Sequence, residues 1–141
     1  MDNRVIAAYQ QLGFKLVVDP SVNYSGYFDA RSRSITMKQI DDSVYHELGH
    51  FLAFIAGNAD KTASFQSIFA AEKANVTAFN KAYVTQNASE YFAESVKDYI
   101  LNNASLKNTR PQTYAAVQNA LNQITDAQIA KIQKIYGAFW N

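Results

Sequence analysis

The sequence predicts an α+β fold, a small sheet within the first forty residues followed by helices, on three observations. Short extended runs separated by turn residues crowd the segment before Asp41, and from there apolar residues recur at helical spacing almost to the end. No repeat or Pro/Gly/Ser-rich linker interrupts the chain. With 141 residues it has the length of one ordinary domain, so residues 1–141 are read as a single unit. A composition of 48% hydrophobic and 18% charged residues, with two Pro and five Gly, belongs to a chain that buries a core.

The elements follow in order. Asp2 caps a first helix that carries Val5, Ile6, Tyr9 and Leu12 on one face and stops at Gly13. FKLVV, with Phe14 and Leu16 alternating against Lys15 and Val17, predicts a strand that ends at Asp19-Pro20. GYFDARSRSITM predicts two more extended runs around a turn at Asp29 to Ser32, the second covering Ser34 to Met37. DDSVYHELGHFLAFIAG opens with acidic residues suited to a helix N-terminus and closes at Gly57. A helix in KTASFQSIFAAEKA carries Phe65, Ile68, Phe69 and Glu72. Asn87 and Glu90 stand at capping-box spacing before EYFAESVKDYIL, and Pro111 takes a favoured first helical position before TYAAVQNALNQI. Thr125 and Gln128 start a last helix with Ile129, Ile132, Ile135 and Tyr136 on one stripe.

Composition excludes several chemistries. Without Cys there are no thiol nucleophiles, disulfides or Cys-based zinc sites. A net charge of +1 gives no reason to expect nucleic acid or an anionic membrane as partner. No stretch approaches the roughly 18 apolar residues of a membrane span. MDNRVIAAYQQLGF lacks the pattern of a secretory signal, which fits a cytoplasmic protein or a chain written from its mature start.

Both histidines of the chain fall in His46-Glu47-Leu48-Gly49-His50. At about 100° per residue they lie one turn apart, roughly 40° from each other, so both imidazoles reach one tetrahedral metal. Glu47 lies roughly 100° round from His46, beside the metal, where it suits a bound water rather than ligation. Zinc lowers the pKa of that water, and the carboxylate takes its proton as a carbonyl is attacked. Val44, Leu48, Phe51, Leu52 and Ile55 cover the other side of the helix, while Gly49 and Ala53 leave room near the metal for a second helix.

A catalytic zinc takes three protein ligands plus water. With only two His, the third is a carboxylate. Glu90 and Glu94 stand one turn apart in SEYFAES, opposite Phe92, Val96 and Tyr99; either could ligate while the other orients a histidine. The same spacing also describes a solvated face, helped by Lys97 pairing at short helical spacing. Glu72 is the competing ligand, with a surface or helix-packing role the preferred reading.

From His46 to about Ile124 the sequence resembles the catalytic domain of anthrax lethal factor and the Pro-Pro endopeptidases, zinc metallopeptidases of the gluzincin type. The resemblance rests on HELGH, SIFAAEKANVTAF, YVTQNASEYFAES and LKNTRPQTYAAVQ, and above all on a Tyr seven residues before the Glu of an EYFAE block. It implies a zincin-like fold, one catalytic zinc ion (Zn2+) held by His46, His50 and Glu90, Glu47 as general base, and Glu94 behind the ligands. It also implies that the Tyr83 phenol donates to the oxyanion of the tetrahedral intermediate. The expected activity is zinc-dependent endopeptidase action on a protein or peptide bound in extended form, by a secreted monomer. The run Ser34 to Met37 is where the substrate is expected to add as a strand, and Arg31, Arg33 and Lys38 could favour an acidic peptide. Proline specificity is not supported, because the single Trp, Trp140, stands at the far terminus. Two other readings are an intracellular HELGH regulatory protease with Glu72 as ligand and a zinc-binding module without turnover.

Overall fold

The computed structural model describes residues 1–140 as an α+β arrangement, mostly helical with a three-stranded sheet near the N-terminus. Helix α1 (Asn3–Gln11) begins where the Asp2 carboxylate accepts from the Arg4 backbone N–H at 2.8 Å. It gives way to Gly13, whose φ of +78° is open to glycine at little cost. Strands β1 (Lys15–Val18), β2 (Gly26–Asp29) and β3 (Ser34–Met37) follow. Between β2 and β3 the Asp29 side chain accepts from the Arg31 and Ser32 amides, and Arg33 adopts a left-handed φ of +53°.

The sheet order is β1-β3-β2. β1 runs parallel to β3 with Leu16 opposite Ile35, and β2 runs antiparallel to it with Phe28 opposite the same residue. Both edges of β3 are therefore paired, so the Ser34 to Met37 run has no edge free to receive a substrate strand. The alternation expected of FKLVV is also absent: Phe14 is buried just ahead of the strand, but all four residues of β1 are exposed. β1 is an edge strand, and its residues stay accessible on both faces.

Helix α2 (Ser43–Ile55) starts at Asp41, whose carboxylate accepts from the Ser43 amide and hydroxyl. Thr62 caps α3 (Ala63–Glu72) through the Phe65 amide, and a single turn, α4 (Lys81–Val84), precedes α5 (Ala88–Leu101). Asn87 caps α5 by accepting from the Glu90 amide at 2.8 Å, the spacing read from the sequence. Helix α6 (Asn103–Thr109) was not legible, because NASLKNT has no helical apolar stripe. Helices α7 (Pro111–Asn122) and α8 (Asp126–Trp140) complete the fold. On α8, Ile132 is buried while Ile135 is half exposed, so the expected stripe is narrower than four residues.

α2 and α5 pack through the middle of one core that includes Val5, Leu12, Ile35, Met37, Phe51, Leu52, Phe92 and Val117. The edge of the Phe14 ring meets Phe51 at a centroid distance of 4.9 Å, joining the sheet end of the core to α2. α8 is pinned back onto the β2–β3 turn: the Trp140 indole N–H donates to the Ala30 carbonyl at 2.9 Å, and the Arg33 guanidinium lies 5.3 Å over its ring. Arg33 also donates to the carbonyls of Leu12 and Trp140. Arg33 thus has a structural role in holding α8 against the β2–β3 turn. No helix among the described residues is long and apolar enough to cross a membrane.

Candidate metal centre

The two site helices meet at small residues. A Cβ added to Gly49 would lie 2.7 Å from the Cα and carbonyl oxygen of Ala93, so only glycine lets α2 approach α5 this closely. On either side of this crossing, His46 and His50 of α2 face Glu90 and Glu94 of α5. Phe92 and Val96 are buried on the opposite side and hold α5 in the core, as the sequence pattern predicts.

His46 Nε2 lies 3.1 Å from Glu90 Oε2, and His50 Nε2 lies 3.0 Å from Glu90 Oε1. His46 Nδ1 lies 2.9 Å from Glu94 Oε1, on the far side of the ring. The Glu94 carboxylate thereby fixes the imidazole and directs Nε2 toward Glu90 and His50. The His50 ring is also backed by Phe28 of β2, nearly parallel to it at 6.5 Å.

The electrostatics reflect this enclosure. Burial opposes the charged form of His46, but the Glu90 and Glu94 carboxylates outweigh it and raise its pKa to about 9. Burial also works against ionised Glu90 and Glu94, yet the histidines bonded to them hold both below the usual carboxylate range. Glu47 behaves oppositely. It is buried, forms no ion pair within 4.0 Å among the described residues, and its pKa is pushed up by burial against the pull of His46 and His50.

Gly26, at the start of β2, makes room for that carboxylate. A Cβ there would sit 2.9 Å from Glu47 Cγ and 2.8 Å from Met37 Sδ. The backbone of β2 therefore passes directly beside Glu47. A cleft of about 360 Å³ opens here, lined by Tyr24, Ser25, Gly26, His46, Glu47 and Tyr83 among others.

Tyr83, carried on α4, has its ring centroid 6.3 Å from that of His46 and is half exposed to the cleft. Partial burial and the neighbouring Glu90 charge raise the pKa of its phenol, which keeps the hydroxyl protonated and able to donate. His46, Glu47, Tyr83 and Glu94 thus line one cleft, and His50 and Glu90 join them through the contacts of Glu90 with both histidines.

Glu72 lies elsewhere. Its buried carboxylate accepts from the Gln112 amide at 3.1 Å, the Thr113 amide at 2.8 Å and the Thr113 hydroxyl at 2.7 Å, capping the N-terminus of α7. This is a helix-packing role and removes the carboxylate from the surface. Lys97 lines the cleft but makes no ion pair within 4.0 Å with Glu90 or Glu94, so the pairing expected from helical spacing does not form. Asn80 and Ser43 also line the cleft; neither belongs to a motif that could have singled it out.

His46, His50 and Glu90 form the one His/Cys/Asp/Glu group among the described residues able to hold a metal ion, with one donor atom of each lying within 4.8 Å of the others. Two imidazole nitrogens and a carboxylate oxygen are a donor set for a transition metal of zinc type. Bonds of about 2.0–2.1 Å in a tetrahedron separate donors by about 3.3 Å, close to the observed His–Glu contacts. Glu94 supplies an outer carboxylate that fixes the His46 imidazole. The residues present fit the ion.

A comparison with curated proteins finds no match. The family model described as "Anthrax toxin lethal factor, N- and C-terminal domain" matches residues 22–120. That span runs from just before β2 into α7 and contains His46, Glu47, His50, Tyr83, Glu90 and Glu94. On a match covering more than half its length, the chain belongs to the anthrax toxin lethal factor N- and C-terminal domain family.

Proposed function

We propose that this chain is a zinc-dependent endopeptidase of the zincin type, related to the catalytic rather than the non-catalytic members of its family. The observation that carries the reading is Glu47: a buried carboxylate beside the His46–His50–Glu90 group, outside its ion-pair network, with its affinity for a proton raised by burial. A structural carboxylate in this position would be expected to share the ion pairs; one left out of them is free to exchange a proton.

His46, His50 and Glu90 would hold the ion, and Glu94 would keep the His46 ring in place. When bound, zinc supplies Lewis acidity that polarises a peptide carbonyl and makes water a stronger acid. Glu47 accepts a proton from the attacking water and later passes it to the leaving amine. Tyr83 donates its phenolic hydrogen to the carbonyl oxygen as negative charge gathers there. The substrate would lie extended along β2, because Gly26, which opens the strand, and the two residues before it border the cleft and one edge of this strand is unpaired.

The test is incubation of the zinc-loaded protein with a diverse peptide mixture, read by mass spectrometry with a chelator control. New internal termini that vanish with chelation are expected. A zinc-loaded protein that cleaves no peptide would instead favour a binding module without turnover.

A further inference from the structure

A second cavity of about 440 Å³ runs along the flank of α5, and it shares Asn80, Glu94 and Lys97 with the cleft that holds His46 and Glu47. We propose that this cavity receives an acidic side chain of the substrate close to the scissile bond, and that Lys97 is the group that selects it. The proposal rests on the metallopeptidase reading and adds a substrate class to it.

Charge singles out Lys97. Glu94 is bonded to His46 at 2.9 Å, and Asp98 is paired with Arg110 at 2.6 Å. Arg110 is buried and directs its other donor to the Ser95 hydroxyl at 3.2 Å, so its hydrogen-bonding capacity is turned inward. Lys97 alone among the cations lining the two cavities has no carboxylate within 4.0 Å and no side-chain hydrogen bond among the described residues. It lies three residues beyond Glu94 on α5, on the same face, which puts it on the wall common to both spaces.

The walls select against other side chains. Asn75, Thr77 and Asn102 offer amide and hydroxyl groups, which an apolar side chain would desolvate without replacing their partners. A basic side chain would face the Lys97 ammonium. A carboxylate would gain a charge-assisted hydrogen bond from Lys97 and a further donor from the Asn102 amide, the Asn75 amide being bonded to the Thr109 carbonyl. The room available exceeds one glutamate side chain, which leaves space for ordered water between it and the more distant walls.

Two measurements test this. In the first, zinc-loaded wild type, Lys97→Gln and Lys97→Glu, matched for zinc content, cleave peptide pools that differ only in acidic, neutral or basic residues. Wild type is expected to favour Asp or Glu at one fixed position beside the cut by about tenfold, the scale of a hydrogen bond to a charged group. Lys97→Gln should remove the preference, and Lys97→Glu should turn it toward Lys or Arg. Cleavage without acidic preference, or an unchanged profile in Lys97→Glu, overturns the proposal.

The second measurement needs no turnover. Zinc-loaded Glu47→Ala is titrated with acetyl-Ala-Glu-Ala-amide and acetyl-Ala-Gln-Ala-amide while backbone amide resonances are followed. The Glu peptide should bind at least about fivefold tighter, within the range of a modest charged contact, and shift Lys97 and Asn102. Equal affinities, or shifts elsewhere, overturn the subsite. If wild type cleaves nothing, the peptidase reading fails and this second measurement still decides the subsite.

Discussion

Gly49 and Ala93 form the crossing on which the site depends: a Cβ on Gly49 would stand 2.7 Å from the Ala93 backbone. The candidate ligand positions and their partners are disposed alike about this point. His46 and His50 lie three before and one after Gly49, as Glu90 and Glu94 do about Ala93. The interhelical distance set by these two small residues therefore sets the distance between imidazoles and carboxylates.

Gly49→Val is expected to force the helices apart, costing about 3 kcal/mol, the upper part of the range for overpacking, and lowering zinc occupancy. Gly57→Ala provides the contrast. Gly57 has a φ of +77° with nothing within 4 Å of the added Cβ, so it should cost only about 1 kcal/mol in backbone strain and leave zinc binding intact. Urea denaturation with metal analysis checks both.

Glu72 and Glu90 should separate stability from metal binding. Glu72→Ala removes a buried carboxylate that accepts two amides and a hydroxyl at the start of α7, and a loss of about 2–3 kcal/mol is expected. Zinc content should stay at that of wild type. Glu90→Ala should instead abolish stoichiometric zinc binding, and zinc loss in Glu72→Ala alone would reverse the assignment.

The pH dependence of the metal-free protein follows from the raised and lowered groups. His46 rises from 6.5 to about 9, so its stabilising contribution is complete below about pH 6.5 and is lost as pH climbs through about 9. Glu90 and Glu94 are depressed from 4.5, so theirs is present above about pH 4.5 and is lost as pH falls through their folded values. Site-derived stability of the metal-free protein should therefore be greatest between these limits. Zinc needs the unprotonated imidazole, so binding near pH 7 should release about one proton from this site. Calorimetry in buffers of different ionisation enthalpy counts it; release of none would contradict the charge state assigned to His46.

Trp140→Ala should destabilise the protein by about 2–3 kcal/mol, somewhat below the range for a fully buried large aromatic, with zinc content unchanged. The indole packs on Phe14 and Phe54 and carries the hydrogen bond to Ala30, remote from the ligands. Thermal unfolding with metal analysis checks this, and loss of zinc would show that α8 supports the site itself.

Local signals made much of this fold legible. Asp2, Asn87 and Thr125 each cap the helix their position announces, because a side-chain oxygen and an amide two or three residues on are all that the cap requires. HELGH placed two imidazoles and a carboxylate on one helix for the same local reason. The order of the sheet was not legible, since nothing in Ser34 to Met37 says that β1 and β2 pair with it from opposite sides. The partners of Glu72 and Arg33 and the surroundings of Lys97 were equally hidden. Each is decided by a residue distant in sequence: Thr113 for Glu72, Trp140 for Arg33, and for Lys97 His46, which holds the Glu94 carboxylate that helical spacing made available.

The most direct test of Glu47 as proton carrier beside a His46–His50–Glu90 zinc site is the ratio of kcat for Glu47→Gln to that of wild type at equal zinc occupancy, on any peptide that wild type cleaves. Full zinc binding with kcat lowered by at least about a thousandfold, within the range for general acid–base catalysis, is predicted. A zinc-loaded Glu47→Gln that retains activity within about tenfold of wild type, well short of that range, would contradict it.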